Sequence, residues 1–154
     1  MGNYRTGTSN YRGGIKSYFS KQASDLTVNN SETYVNTDLI TPTLAVGKSY
    51  SIDGIYVTNS GTTPDVKMKN VVTTLVATSS FWDSASTSFT MPTTALATED
   101  TSIAGTGANV IRYIKIQIIN VTTAGSFILQ FAQNVADVSD TKFLKGSYWI
   151  IKEI

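Results

Sequence analysis

From Val110 to Val121 the side chains alternate: Ile114, Ile116 and Ile118 share one face, while Tyr113, Lys115 and Gln117 share the other. A period of two belongs to an extended strand with one buried and one wet face, not to a helix. Thr122-Thr123-Ala124-Gly125 then reads as a hairpin turn. In Ser126 to Gln133 the alternation resumes, with Phe127, Leu129 and Phe131 set against Ile128, Gln130 and Ala132. The rest of the chain has to accommodate this antiparallel pattern.

Earlier runs have the same character. Tyr50 to Val57 reads as a strand whose Gly54 signals a bulge or close packing. A turn at 59–64 leads into Asp65 to Thr74, where Val66, Met68 and Asn70 alternate with Lys67, Lys69 and Val71. Thr33-Tyr34-Val35 and Leu39-Ile40 indicate one or two short strands, and another falls near Phe89. Glu99 to Asn109 reads as a loop, and a polar loop from Asn134 to Gly146 precedes a final strand from Ser147 to Ile154. About eight short strands separated by turn signals predict an all-β, two-sheet antiparallel jelly-roll sandwich.

Composition agrees. The 154 residues suit one domain with its own core. The chain is 41% hydrophobic and only 15% charged, with Thr, Ser and Asn filling the gap, which favours strands and polar turns. There is no cysteine, so neither disulfides nor thiolate metal sites are available. Neither a signal-peptide h-region nor a run of apolar residues long enough to span a bilayer is present. The expectation is a soluble protein made in a cytoplasm, without a membrane partner.

The net charge of +1 argues against bulk binding to nucleic acid. Its distribution is uneven. Arg5, Arg12, Lys16 and Lys21 precede the first carboxylate, Asp25, and the remainder holds eight Lys/Arg against eleven Asp/Glu. Residues 1–24 also lack any apolar period, and Gly7, Gly13 and Gly14 rule out a heptad, so they read as an extended arm before a domain at 25–154. Asn-Tyr-Arg occurs twice in that arm, at Asn3-Tyr4-Arg5 and Asn10-Tyr11-Arg12. Extended spacing of seven residues sets the two Tyr-Arg pairs about 23 Å apart. Tyrosine and arginine are frequent interface anchors. Tyr4, Arg5, Tyr11, Arg12, Lys16, Tyr18 and Phe19 are therefore read as a docking set, with simple disorder and contacts to nucleic acid as the alternatives.

The final strand adds a constraint. Tyr148, Ile150 and Ile154 lie on one face, and Trp149 and Ile151 on the other. An antiparallel sheet usually wets one face. Large residues on both faces call for a second buried surface, supplied by another copy of the chain or by its own loops or arm.

These strands also carry a resemblance. Gly125-Ser126-Phe127-Ile128-Leu129-Gln130-Phe131-Ala132-Gln133-Asn134, a loop with Ser139, and then Lys145-Gly146-Ser147-Tyr148 resemble a recurring carboxy-terminal pattern. It is similar to that of small trimeric jelly-roll domains of bacteriophage structural proteins, of the tumour-necrosis-factor/C1q-like type. Asp53-Gly54-Ile55-Tyr56 and Asp65-Val66-Lys67-Met68 resemble earlier strands of the same domain. The resemblance implies a homotrimeric virion component: a head fibre or capsid decoration protein on the outer surface of the particle, held to the major capsid or another virion protein by the arm. It also implies Gln130, Ala132, Gln133 and Tyr148 as residues near the threefold axis, with ordinary intrachain packing as their alternative. A tail-associated domain that binds a receptor or a host surface glycan is the second reading.

Catalytic chemistry has little to work with. No histidine is present, which removes the commonest general base and any serine-histidine triad. Gly105-Thr106-Gly107 lacks the third glycine of a phosphate loop. Glu99-Asp100 and the pair Asp137 and Asp140 lack the spacing of a calcium loop and read as solvated acids. The expectation is no enzyme, no cofactor and no metal. Phe81 and Trp82, in a serine-rich setting, stand out as aromatics for ligand recognition, a sugar for instance, or for core or trimer packing.

Overall fold

The computed structural model describes residues 16–83, 89–90 and 101–154, with side chains at all of these except 78–83, 89–90 and 101–102. Twelve strands occur among the described residues. They are β1 Ser17–Lys21, β2 Leu26–Val28, β3 Val35–Ile40, β4 Tyr50–Ser60, β5 Val66–Thr73 and β6 Val76–Asp83, followed by β7 Phe89–Thr90, β8 Thr101–Ile103, β9 Asn109–Thr123, β10 Ser126–Gln133, β11 Thr141–Phe143 and β12 Tyr148–Glu153. The larger sheet runs β1-β12-β4-β9-β6-β7, with β11 on β4 and β2 on β11; the smaller runs β3-β10-β5-β8. Neighbouring strands are antiparallel in both sheets. The chain changes sheet at β2–β3, β3–β4, β4–β5, β5–β6, β7–β8, β8–β9, β9–β10 and β10–β11, as the strands of a jelly-roll sandwich do.

The alternation read from sequence is what seals the two sheets together. On β4 the residues Tyr50, Ile52, Tyr56 and Thr58 are buried while their neighbours are half-exposed. Ile114, Ile116 and Ile118 of β9, Trp149 and Ile151 of β12, and Phe127, Leu129 and Phe131 of β10 meet them in one core. Aromatic rings bridge the layers: Phe127 lies 5.2 Å from Trp149, and Phe131 lies 5.6 Å from Phe143. Each such side chain contributes about 1.5–3 kcal/mol by leaving water. Where the β3–β10 register shifts between Ile128 and Gln130, the buried Thr37 hydroxyl donates to the Leu129 carbonyl (2.9 Å) and keeps the gap satisfied.

Gly54 has a close-packing role. A Cβ there would strike the Tyr148 carbonyl oxygen and stand 2.7 Å from Trp149 Cδ1. The register passes through Gly54 unshifted on both sides, so there is no bulge.

Other expectations change. Ala124-Gly125 is a corner between sheets, not a hairpin, since β9 pairs with β4 and β6 while β10 pairs with β3 and β5. Another tight connection packs against it: Leu75 N–H donates to the Thr73 carbonyl (2.8 Å), with Thr74 at φ 59°, a γ-turn. A Cβ on Gly125 would collide with that turn's backbone. The segments read as loops at 99–109 and 134–146 contain β8 and β11. Ser17–Lys21, within the stretch grouped as arm, is an edge strand of the larger sheet, paired residue for residue with Lys152–Tyr148.

Candidate interaction surface

The outward face of the larger sheet is built by the residues that alternate with the core set. The register lays them in rows. Lys21, Tyr148, Ile55 and Tyr113 run across β1, β12, β4 and β9; the next row is Phe19, Ile150, Asp53 and Lys115. Val57 and Ile111 pair beyond them. Phe19, Ile111 and Tyr113 are 46%, 57% and 58% exposed, large values for apolar side chains that sit together on one face. The Phe19 and Tyr148 rings stack at 5.7 Å with a 33° tilt. Between the two rows lies an open recess of about 270 Å³, walled by Ile55, Tyr113 and Tyr148 on one side and Asp53, Lys115 and Ile150 on the other. Charge of both signs edges it, Lys152 Nζ standing 3.8 Å from Asp53 Oδ2.

The smaller sheet's outward face is different. Lys69 and Lys67 place their ammonium groups 4.0 and 5.0 Å from the Tyr34 ring centroid. Gln130 Nε2 donates to Asn36 Oδ1 at 2.7 Å. This face is mixed: beside these polar contacts the register lays a half-buried apolar row of Ile40, Ile128 and Val71.

The residues expected near a threefold axis do not form one surface. Tyr148 is half-buried on the larger sheet's outward face, and Gln130 is half-buried on the smaller sheet's. Ala132 is wholly buried within the chain. Gln133 is also wholly buried, and its amide joins two loops: Oε1 accepts from Ser31 N–H (2.9 Å) and Asp137 N–H (3.1 Å), while Nε2 donates to the Asp137 (3.0 Å) and Ser139 (2.7 Å) carbonyls. Phe19, Ile55, Ile111 and Tyr113 are the face's own residues. Tyr113 was legible as outward by parity; the others needed the register between strands.

Of the docking set, Tyr4, Arg5, Tyr11 and Arg12 lie outside the described residues. Lys16 is exposed, and its carbonyl accepts from Glu153 N–H at 2.9 Å. Tyr18 turns toward the core and Phe19 toward the outward face. Phe81 and Trp82 lie in β6, opposite Ile116 and Lys115, and their side chains are outside the described ones. Glu99-Asp100 is also outside. Asp140 pairs with Lys142 (3.2 Å), and Asp137 Oδ1 accepts from Ser139 N–H (2.7 Å); hydrogen bonding from the Ser139 side chain, and then from that N–H, holds the Asp137 carboxyl below the usual carboxylate range. Among the described residues no group of three acidic side chains could hold a metal ion.

The two ends of the sandwich are distinct. Lys16 meets Glu153 at one end, where Ile154 N–H also reaches the Ser49 carbonyl (2.9 Å) and Lys48 binds Glu153 at 2.8 Å. That ammonium's hydrogen bond lowers the Glu153 carboxyl's pKa. β6 starts at this end, with Val76 opposite Thr123, and runs away from it to Asp83, opposite Ile114.

No known family model matches the chain, and neither does any curated protein. Among solved structures it is similar to a chain in the structure of infectious bursal disease virus Gx strain, with a TM-score of 0.32 and 8% sequence identity. The match covers 99% of this chain and 44% of that one, so this chain spans less than half of its neighbour's length.

Proposed function

We propose that the chain is a non-enzymatic structural protein of a bacteriophage particle: a homotrimeric jelly-roll domain fixed to the capsid by its N-terminal arm, as a head fibre or decoration protein. The observation that carries this reading is the aromatic and aliphatic outward face of the larger sheet. A second copy suits it as occupant because exposed knobs, Tyr113 and Ile111, stand beside a recess on the same face. A knob next to a hole fits a neighbour turned about an axis, and three turns close a ring. The smaller sheet's outward face, with its Lys69–Tyr34 and Gln130–Asn36 contacts, then remains on the outside.

The arm supports the same reading. Its root at Lys16 lies at one end of the sandwich, so three roots in a trimer can address one underlying shell, the major capsid protein or another virion component. The resemblance of the terminal strands to trimeric phage modules points the same way. The place of Trp82 in β6, opposite Lys115 and in the register row of Asp53 and Ile150, favours a second reading in which the region around it meets a receptor or host surface glycan.

The test is a full-length chain carrying Tyr4→Ala, Arg5→Ala, Tyr11→Ala and Arg12→Ala, made during particle assembly. Purified particles are expected to lack it while its fold and oligomeric state are unchanged. Incorporation at the unsubstituted level would overturn docking by the arm.

A further inference from the structure

We infer that β1 is a shared element, completing the self-association face through Phe19 and rooting the docking arm through Lys16, so that assembly of the face fixes the arm's starting point. This rests on the trimer reading.

Three observations carry it. First, β1 is an edge strand paired with β12 along Ser17 to Lys21, the backbone bonding extended by Glu153 N–H on the Lys16 carbonyl and Gln22 N–H on the Ser147 carbonyl (both 2.9 Å). Tyr18 packs on the core, and side-chain bonds tie this stretch across to β3: Ile40 N–H donates to Ser20 Oγ (3.0 Å), Ser20 Oγ–H to the Asp38 carbonyl (3.0 Å), Asp38 N–H to Gln22 Oε1 (2.9 Å) and Ala23 N–H to Asp38 Oδ2 (3.0 Å). Second, Phe19, the strand's largest outward side chain, is 46% exposed although it stacks on Tyr148. It lies in the row of Ile150, Asp53 and Lys115, which borders the recess. Third, Lys16 precedes β1 directly and is pinned to Glu153.

A short edge strand with a half-covered aromatic gains burial when a second copy covers that face. By linkage the reverse holds: whatever orders β1 favours association. Docking of the arm and closure of the trimer therefore reinforce each other, with Phe19 as the link.

The experiment compares the full chain with Phe19→Ser and Phe19→Leu by sedimentation over a dilution series. Exchange of the 17–21 amides is followed by mass spectrometry in the same samples. For Phe19→Ser, the concentration at half-dissociation is expected to rise about tenfold or more, as for loss of an interface anchor. Phe19→Leu is expected to recover most of the difference. In the unsubstituted chain, 17–21 should exchange faster once diluted to monomer. A trimeric unsubstituted chain whose Phe19→Ser variant dissociates at the same concentration would overturn the role of β1 alone. An unsubstituted chain that is monomeric throughout would overturn the trimer reading, and this inference with it.

Discussion

Gln133 uses its amide wholly inside the chain, accepting from two backbone N–H groups and donating to two carbonyls. It clamps the loop after β10 to the loop after β2, and Asn29 Nδ2 reinforces the contact by donating to the Val138 carbonyl (2.6 Å). Substituting Gln133→Ala would leave buried backbone groups without partners and is expected to cost about 1–3 kcal/mol. Chemical denaturation checks this, and an unchanged midpoint would contradict the clamp. The motif resemblance set Gln133 near a threefold axis, with intrachain packing as the alternative; its place in the alternation, two residues after Phe131, is on the core side of the strand. The motif resemblance drew attention to its identity, while its face was the better guide. At Gly54 the sequence allowed two explanations, and only the distance to Tyr148 and Trp149 on the neighbouring strand separates them.

β1 belongs to the larger sheet, yet it closes the side of the sandwich through Ser20, Gln22 and Asp38. The Ser20 and Gln22 side chains accept from the outward N–H groups of Ile40 and Asp38 on β3, which is how an exposed strand edge is kept from pairing with other chains. Ser20→Ala removes an acceptor from Ile40 N–H and a donor to Asp38 and is expected to destabilise the fold by about 1–2 kcal/mol. Faster amide exchange at 38–40 should accompany the loss, and unaltered exchange there would contradict the tie. Nothing in the spacing of Ser20 and Asp38 announces their contact, because it joins edges of different sheets. Long alternating strands such as β4, β9 and β10 were legible, since eight or more residues repeat the period several times. β8 and β11 are three residues each, too short for a period to appear, and polar neighbours hid them. The corner at Ala124-Gly125 was read as a hairpin because turn residues between two strands look alike whether or not the strands pair.

At the scale of the molecule, one outward face sets polar contacts beside a half-buried apolar row, and the other exposes Phe19, Ile111 and Tyr113. The final strand's large residues on both faces were read as calling for a second buried surface; Trp149 and Ile151 enter the core, and Tyr148 and Ile150 stand on the outward face. The membership of the exposed face required the register, which brings Phe19 from one end of the chain beside Tyr148 from the other. Covering that face with copies of the chain leaves the arm roots at one end and the smaller sheet on the perimeter. Sedimentation equilibrium of the full chain at micromolar concentration tests this most directly, read alongside Tyr113→Asp, which places a charge on the face without touching the core. A species of three times the chain's mass, reduced to single folded chains by Tyr113→Asp, is the predicted result. A single folded chain at these concentrations, or a trimer indifferent to Tyr113→Asp, would contradict it.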